Sequence, residues 1–186
     1  MKKLTYAVGL FALLLFSSKT QATLIDRGNG LIFDSTNNIS WTKDASLSGP
    51  ANNWDGQNTF AANLTLAGFD DFRLASIDEL SSLYGQLSTL DGCFLNCTGN
   101  QDPFTSIQPF YWSGTEYDPY IAWGFDFFFV NGAELMAFKD SSGYYGWAVR
   151  PGDSVGVPEP GAWLLMGVGL LGIGLAQRQR FSGGSR

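Results

Sequence analysis

Ala61-Ala-Asn-Leu-Thr-Leu-Ala-Gly-Phe-Asp-Asp-Phe-Arg-Leu-Ala-Ser-Ile-Asp-Glu-Leu80 closes one helix and opens another. Upstream, Phe60 and Leu64 stand four apart and Ala61 and Leu64 three apart, which predicts a helix over 54–67. Gly68 sits where a left-handed C-terminal cap is expected. Phe69–Leu74 is a short extended link. Ser76-Ile-Asp-Glu79 then has the spacing of a capping box, in which hydroxyl and carboxylate each accept from an exposed N-terminal amide. Ile77, Leu80, Tyr84 and Leu87 follow as one apolar stripe, the pattern of a core-packing helix and not of a binding groove.

Strands are expected on both sides of this helical pair. Leu31–Asp34 and Ile39–Thr42 flank the turn residues Ser35-Thr-Asn-Asn38, with Trp41 directed into the core. A polar connection follows from Ala45 to Asn53. Downstream, Phe110–Thr115 reads as a strand, and Ile121–Val130, Asn131-Gly132 and Ala133–Lys139 as a hairpin with a two-residue turn. That turn would set Val130 opposite Ala133, Phe127 opposite Met136 and Phe125 opposite Phe138. One face would then carry Trp123, Phe125, Phe127, Phe129, Met136 and Phe138 into the core, with Asp126 and Phe128 on the other. Tyr144–Arg150 closes the sheet. The order hairpin, two helices, antiparallel sheet predicts an α+β domain.

Residues 90–107 read as a loop rich in Gly, Asn, Asp and Pro, long enough to need a staple or a function. Cys93 and Cys97 lie in it, and in an exported chain a local disulfide is the expectation. A reactive thiol is the other reading, but the chain has no histidine to activate one. The absence of histidine also removes the usual transition-metal ligand and every His-containing triad.

Both ends of the chain read as targeting segments. Lys2-Lys3 and the apolar stretch Leu4–Phe16 have the form of a secretory signal, with cleavage expected after Ala22. At the other end Val157-Pro158-Glu159-Pro160 is a rigid turn. After it come an uncharged Gly-rich span, Ala162–Ala176, and then Arg178 and Arg180. The span is slightly short of the hydrocarbon thickness as a helix, and the arginines suit its cytoplasmic end. Between these ends, residues 23–160 hold five of the eleven cations and all seventeen carboxylates, a net charge of −12. Such a charge excludes nucleic acid as a partner and repels anionic polysaccharide unless a cation bridges the two.

The tail resembles the PEP-CTERM sorting signal of Gram-negative bacteria. The resemblance implies sorting by an exosortase-type membrane protease, transient membrane attachment through the C-terminal helix, and release to the cell surface or the medium. Three further segments resemble the DUF1566 family, the C-terminal domain of the Legionella collagen-like adhesin: Asn29–Trp41, Ala61–Leu80, and Tyr111-Trp-Ser-Gly with Ala122-Trp123, Asn131-Gly132 and Val149-Arg-Pro151. Two positions depart from that pattern, Phe72 for tryptophan and Ala75-Ser76 for Pro-Thr. The implied fold is compact and lectin-like, with two helices and an antiparallel sheet, followed by the transmembrane sorting helix. The organisation is thus a signal peptide 1–22, the domain 23–152, a linker 153–160 and a helix with basic stop 161–180.

For the domain, the sequence offers carboxylates and aromatics. Asp70, Asp71, Glu116, Asp118 and Asp126 are the candidate acid–base groups, although they also fit turns and caps. Trp54, Tyr117, Tyr120, Tyr144 and Tyr145 are flat rings with polar tips that suit sugar faces; the candidate contacts to a sugar are Trp54, Glu116, Tyr117, Tyr120 and Tyr144. Arg73 and Arg150 are expected to pair with aspartates. Calcium would suit the acidic loops, yet neither Glu-Pro-Asn nor Gln-Pro-Asp occurs, and no metal or cofactor is expected. The expectation is a non-enzymatic surface or matrix protein acting in adhesion, biofilm or exopolysaccharide association. The alternatives are a small secreted carboxylate-dependent hydrolase acting on polysaccharide and a structural component without a ligand.

Overall fold

A computed structural model describes residues 24–154 apart from 91–92, 94–95 and 130–131. The expected signal peptide, the PEP segment and the apolar tail lie outside the described residues. The domain is mixed α+β, as expected, but its strands form two principal sheets.

The first sheet begins as a meander of β1 (Leu24–Asp26), β2 (Leu31–Asp34) and β3 (Ile39–Thr42). The β2–β3 turn is held by Asp34, whose carboxylate accepts from the amides of Thr36 (2.9 Å) and Asn37 (3.2 Å). Asn38 there adopts a φ of 51°, which asparagine tolerates. The sheet is completed by β4 (Arg73–Leu74) and β11 (Ala148–Pro151), in the order β1-β2-β3-β11-β4. The last strand of the domain is therefore inserted between β3 and β4, with Val149 between Trp41 and Arg73.

The second sheet has the order β10-β7-β8-β9, with β7 (Phe110–Glu116), β8 (Ile121–Asp126), β9 (Ala133–Phe138) and β10 (Tyr145–Gly146). The expected closing strand 144–150 is thus divided. Its start runs parallel beside β7, and its end crosses into the first sheet. Trp147 stands at the crossing, fully buried, with its indole N–H on the carbonyl of Thr42 at 3.0 Å.

The hairpin differs from the two-residue form. Trp123 pairs with Met136, Phe125 with Glu134 and Asp126 with Ala133, so the ladder stops at Asp126. The chain leaves it because Phe127 is drawn into the core, between Tyr84, Tyr111 and Trp147. The Phe127 amide donates to Pro109 O (2.8 Å), and its carbonyl accepts from Cys97 N (2.9 Å). Asp126, buried, caps the departing loop through the amides of Phe128 (2.8 Å) and Phe129 (3.1 Å). Of the face expected inside, Phe125 and Phe127 are buried, Trp123 is half-buried, and Phe129, Met136 and Phe138 are exposed.

Helix α1 (Trp54–Asn63) is capped by Asn53, whose side chain accepts from Gly56 N at 2.9 Å. It stops before 67 because Leu66 and Phe69 exchange backbone hydrogen bonds around Ala67 and Gly68, both at positive φ. Gly68 therefore serves this tight turn and not the helix cap. Helix α2 (Ile77–Leu90) starts at the expected box: Glu79 N donates to the Ser76 hydroxyl (3.2 Å), and Ser76 N to the Glu79 carboxylate (2.7 Å). Its stripe Ile77, Leu80, Tyr84 and Leu87 is buried together with Leu83. Within the segment expected to be loop, Cys93 and Cys97 form a disulfide, and β5 (Gly99–Gln101) pairs with β6 (Phe104–Ile107).

Strand alternation places the helices on opposite faces of the second sheet. Tyr111 and Phe125 join α2, Trp41, Trp147 and Phe104 in one cluster. Trp112 and Ala122 join Ala61, Phe72, Leu74 and the half-buried Trp54 of α1 in the other. On the α2 side, the helix covers the Phe125 end of the β8–β9 pair and leaves the Ile121 end bare.

Candidate functional site

Four of the five candidate sugar contacts converge at the uncovered end of the second sheet. The organiser is Lys139, which follows β9 directly. Its backbone amide donates to Tyr120 O, and its carbonyl accepts from Trp54 N, both at 2.9 Å. The Lys139 ammonium donates to the Glu116 carboxylate (2.6 Å) and to Pro119 O (3.3 Å), and lies 4.5 Å above the Trp54 ring. A cation over an indole face is attracted by the ring quadrupole. The Trp54 indole N–H is occupied by Ser113 O at 2.8 Å. Trp54 and Glu116 are therefore held in a charged knot, with their orientations fixed.

Beside the knot, the β7–β8 turn carries Tyr117 and Tyr120, 59% and 75% exposed. Asp118 makes this turn, accepting from the amides of Tyr120 and Ile121, both at 2.7 Å. Tyr120 and Phe138 face a shallow depression of about 340 Å³ with Asn53, Asp55, Pro119 and Asp140. Tyr117 meets Trp123 edge to face at 5.9 Å. Trp123 lies opposite Met136 and Ile121 opposite Phe138, so these side chains continue the patch along the sheet. Met136 and Phe138 are 53% and 64% exposed.

Tyr144 does not join them. It packs at a tilt against Trp112 (4.4 Å) and meets Phe110 (6.0 Å), at the other end of β7 from Glu116. Burial, then the charge of Asp126, raises its phenol above the ordinary range.

Four of the five candidate acid–base groups have structural partners, while Asp70 is exposed. Asp71 receives Arg150 through two hydrogen bonds, at 2.7 and 3.1 Å, which holds its carboxyl below the ordinary value. Asp126 and Asp118 cap loops, and Glu116 pairs with Lys139. Arg150 pairs with an aspartate as expected, whereas Arg73 is bound by Glu79 at 2.8 and 2.7 Å. Among the described residues no three His, Cys, Asp or Glu side chains gather into a metal-binding group.

Sequence reasoning misses Lys139, Met136 and Phe138 as parts of this region. Lys139 lies 23 residues from Glu116, and only the ladder register brings them together. The two-residue turn sets Met136 opposite Phe127 and Phe138 opposite Phe125, in the core; the observed register keeps them on that face but opposite Trp123 and Ile121, beyond the end that α2 covers.

The model of the Lcl C-terminal domain matches residues 30–150. The chain belongs to this family. Its departures are accommodated: Phe72 is buried beneath α1, and Ser76 caps α2. The PEP-CTERM protein-sorting motif matches residues 156–180, a span that includes Val157, Pro158, Glu159, Pro160, Arg178 and Arg180. It implies export and processing by an exosortase, a membrane protease. No curated protein and no solved structure matches the chain.

Proposed function

We propose that this chain is an exported surface or matrix protein whose Lcl domain associates with exopolysaccharide or other surface glycans. The observation that carries the reading is the succession of an Lcl C-terminal domain and a PEP-CTERM motif in one chain. On this view residues 1–22 are removed on export, 23–152 form a lectin-like domain, 153–160 link it to the tail, and 161–180 hold the membrane until processing. The destination is the cell surface or extracellular space of a Gram-negative bacterium, with a role in adhesion or biofilm. Support for glycan contact comes from Tyr117, Tyr120, Trp123, Met136 and Phe138, which gather exposed apolar surface at one end of the sheet beside polar groups. Rings and apolar side chains of this kind stack on sugar faces while neighbouring polar atoms orient the hydroxyls.

The proposed action is binding without turnover. Asp71, Asp118, Asp126 and Glu116 are engaged in ion pairs and caps, which gives each a structural role. The test is retention of the full chain, in detergent, by exopolysaccharide in affinity electrophoresis, with product analysis of the same samples. Retention that Tyr117→Ala with Tyr120→Ala reduces by about tenfold, without new reducing ends, is the expected result. Reducing ends that vanish on Glu116→Gln or Asp126→Asn would establish the hydrolase instead.

A further inference from the structure

The exposed strip along β8 and β9 has a charge pattern of its own. Its rungs run Phe125 with Glu134, Trp123 with Met136 and Ile121 with Phe138. Glu134, Met136 and Phe138 are exposed and alternate along β9, so they share one face of the strand. From Glu134 to Phe138 this face extends about 13 Å at the strand rise per residue. Among the described residues the Glu134 side chain has no hydrogen-bond or ion-pair partner, and it borders a cavity of about 380 Å³ with Ser81, Tyr84 and Ser88 of α2. At the opposite end Asp55 and Asp140, likewise without side-chain partners among the described residues, stand beside Phe138 and Tyr120 in the second depression. The nearby cation, Lys139, is bound to Glu116 and turned over Trp54. An apolar centre is therefore flanked at both ends by uncompensated carboxylates, in a domain of strongly negative charge.

We propose that this strip is a binding track for a glycan bearing ammonium groups, an amino-sugar polymer that is at least partly unacetylated. This rests on the glycan-association reading above and assigns its ligand class. Pyranose faces lie on Trp123, Tyr117, Met136 and Phe138, while ammonium groups reach Glu134 at one end and Asp140 or Asp55 at the other. A neutral sugar would leave these carboxylates uncompensated, and a uronate polymer would be repelled by them.

Isothermal titration calorimetry of the full chain in detergent, at about pH 6, where the amines of the probes are protonated, tests the assignment. The probes are glucosamine oligomers, N-acetylglucosamine oligomers of equal length, alginate oligomers and a lysine-rich peptide. Glucosamine oligomers are expected to bind about tenfold more tightly than the acetylated ones, an advantage that shrinks as added salt screens the charges. Glu134→Gln should lower that advantage by about threefold, whereas Phe138→Ser should weaken both oligomers alike. Equal affinity for the two oligomers, or preference for alginate, overturns the ammonium assignment and leaves glycan association standing. Peptide binding as tight as that of glucosamine oligomers, with the same response to the variants, also overturns it. Failure of every glycan to bind defeats both readings.

Discussion

Arg150 is buried at the start of the exit from the fold, and three groups share it. Its guanidinium lies 3.8 Å from the Phe69 ring centroid, donates twice to Asp71 and once to Asp153 O at 3.1 Å. Asp71 is about half exposed, so its removal matters less for its own solvation than for the guanidinium left behind. Asp71→Asn is expected to destabilise the domain by about 1–3 kcal/mol in urea denaturation, below the range for fully buried pairs. The sign of the pH effect follows from the direction of the shifts. The Asp71 carboxyl is held below its ordinary 3.8 by Arg150. For Glu79, burial opposes the charge, but Arg73 and the Ser76 amide outweigh it and hold the group below 4.5. Both contributions are complete above the unfolded values and vanish as pH falls through the folded ones. Stability should therefore be flat above about pH 5 and fall below about pH 4, less steeply in Asp71→Asn.

Two glycines separate local from tertiary effects at the scale of elements. Gly132, after the β8–β9 loop, has a φ of +65°, and a Cβ there would lie 2.7 Å from Phe125 Cζ and 3.0 Å from Tyr84 Cδ1. Both rings belong to the packed core, so Gly132→Ala should cost about 2–4 kcal/mol by equilibrium unfolding. Gly85, within α2, has open space where a methyl group would project, with no neighbour within 4 Å, and Gly85→Ala should stabilise the domain by about 0.5–1 kcal/mol. The disulfide acts on the segment after α2. Cys93 and Cys97 close a short loop and are both buried, so reduction should lower stability by about 2 kcal/mol, read as a lower melting temperature in reductant.

Across the whole molecule, the charge distribution and the sorting motif describe one protein made for export. The acidic domain lies between a lysine-bearing start and an arginine-bearing tail, the asymmetry expected when both flanks remain cytoplasmic. The four glycines Gly167, Gly169, Gly172 and Gly174 weaken a helix, as suits a segment to be processed. Mass spectrometry of the mature product should find a C-terminus near Pro158–Pro160, with Arg178 and Arg180 removed. Retention of Arg180 would make the tail a permanent anchor.

Patterns confined to neighbouring residues were determined by the sequence alone. The Ser76–Glu79 box, the α2 stripe, the β2 and β3 bounds and the nearby cysteine pair each depend on a few consecutive positions. Asn131-Gly132 shows where such reasoning fails. Its local turn preference points to a tight hairpin, but burying Phe127 among Tyr84, Tyr111 and Trp147 stops the ladder four residues earlier. That shift keeps Met136 and Phe138 on the face of Trp123 and Phe125 but carries them along the sheet to the end that α2 leaves uncovered, which creates the strip. Trp54, Glu116, Tyr117 and Tyr120 were recognisable as residue types suited to sugars, but their meeting around Lys139 required the β7–β8–β9 register. Tyr144 has the same chemistry and was carried elsewhere by its packing on Trp112. Residue chemistry and short periodicities are written locally, whereas long-range register is decided by which large side chains the core must enclose.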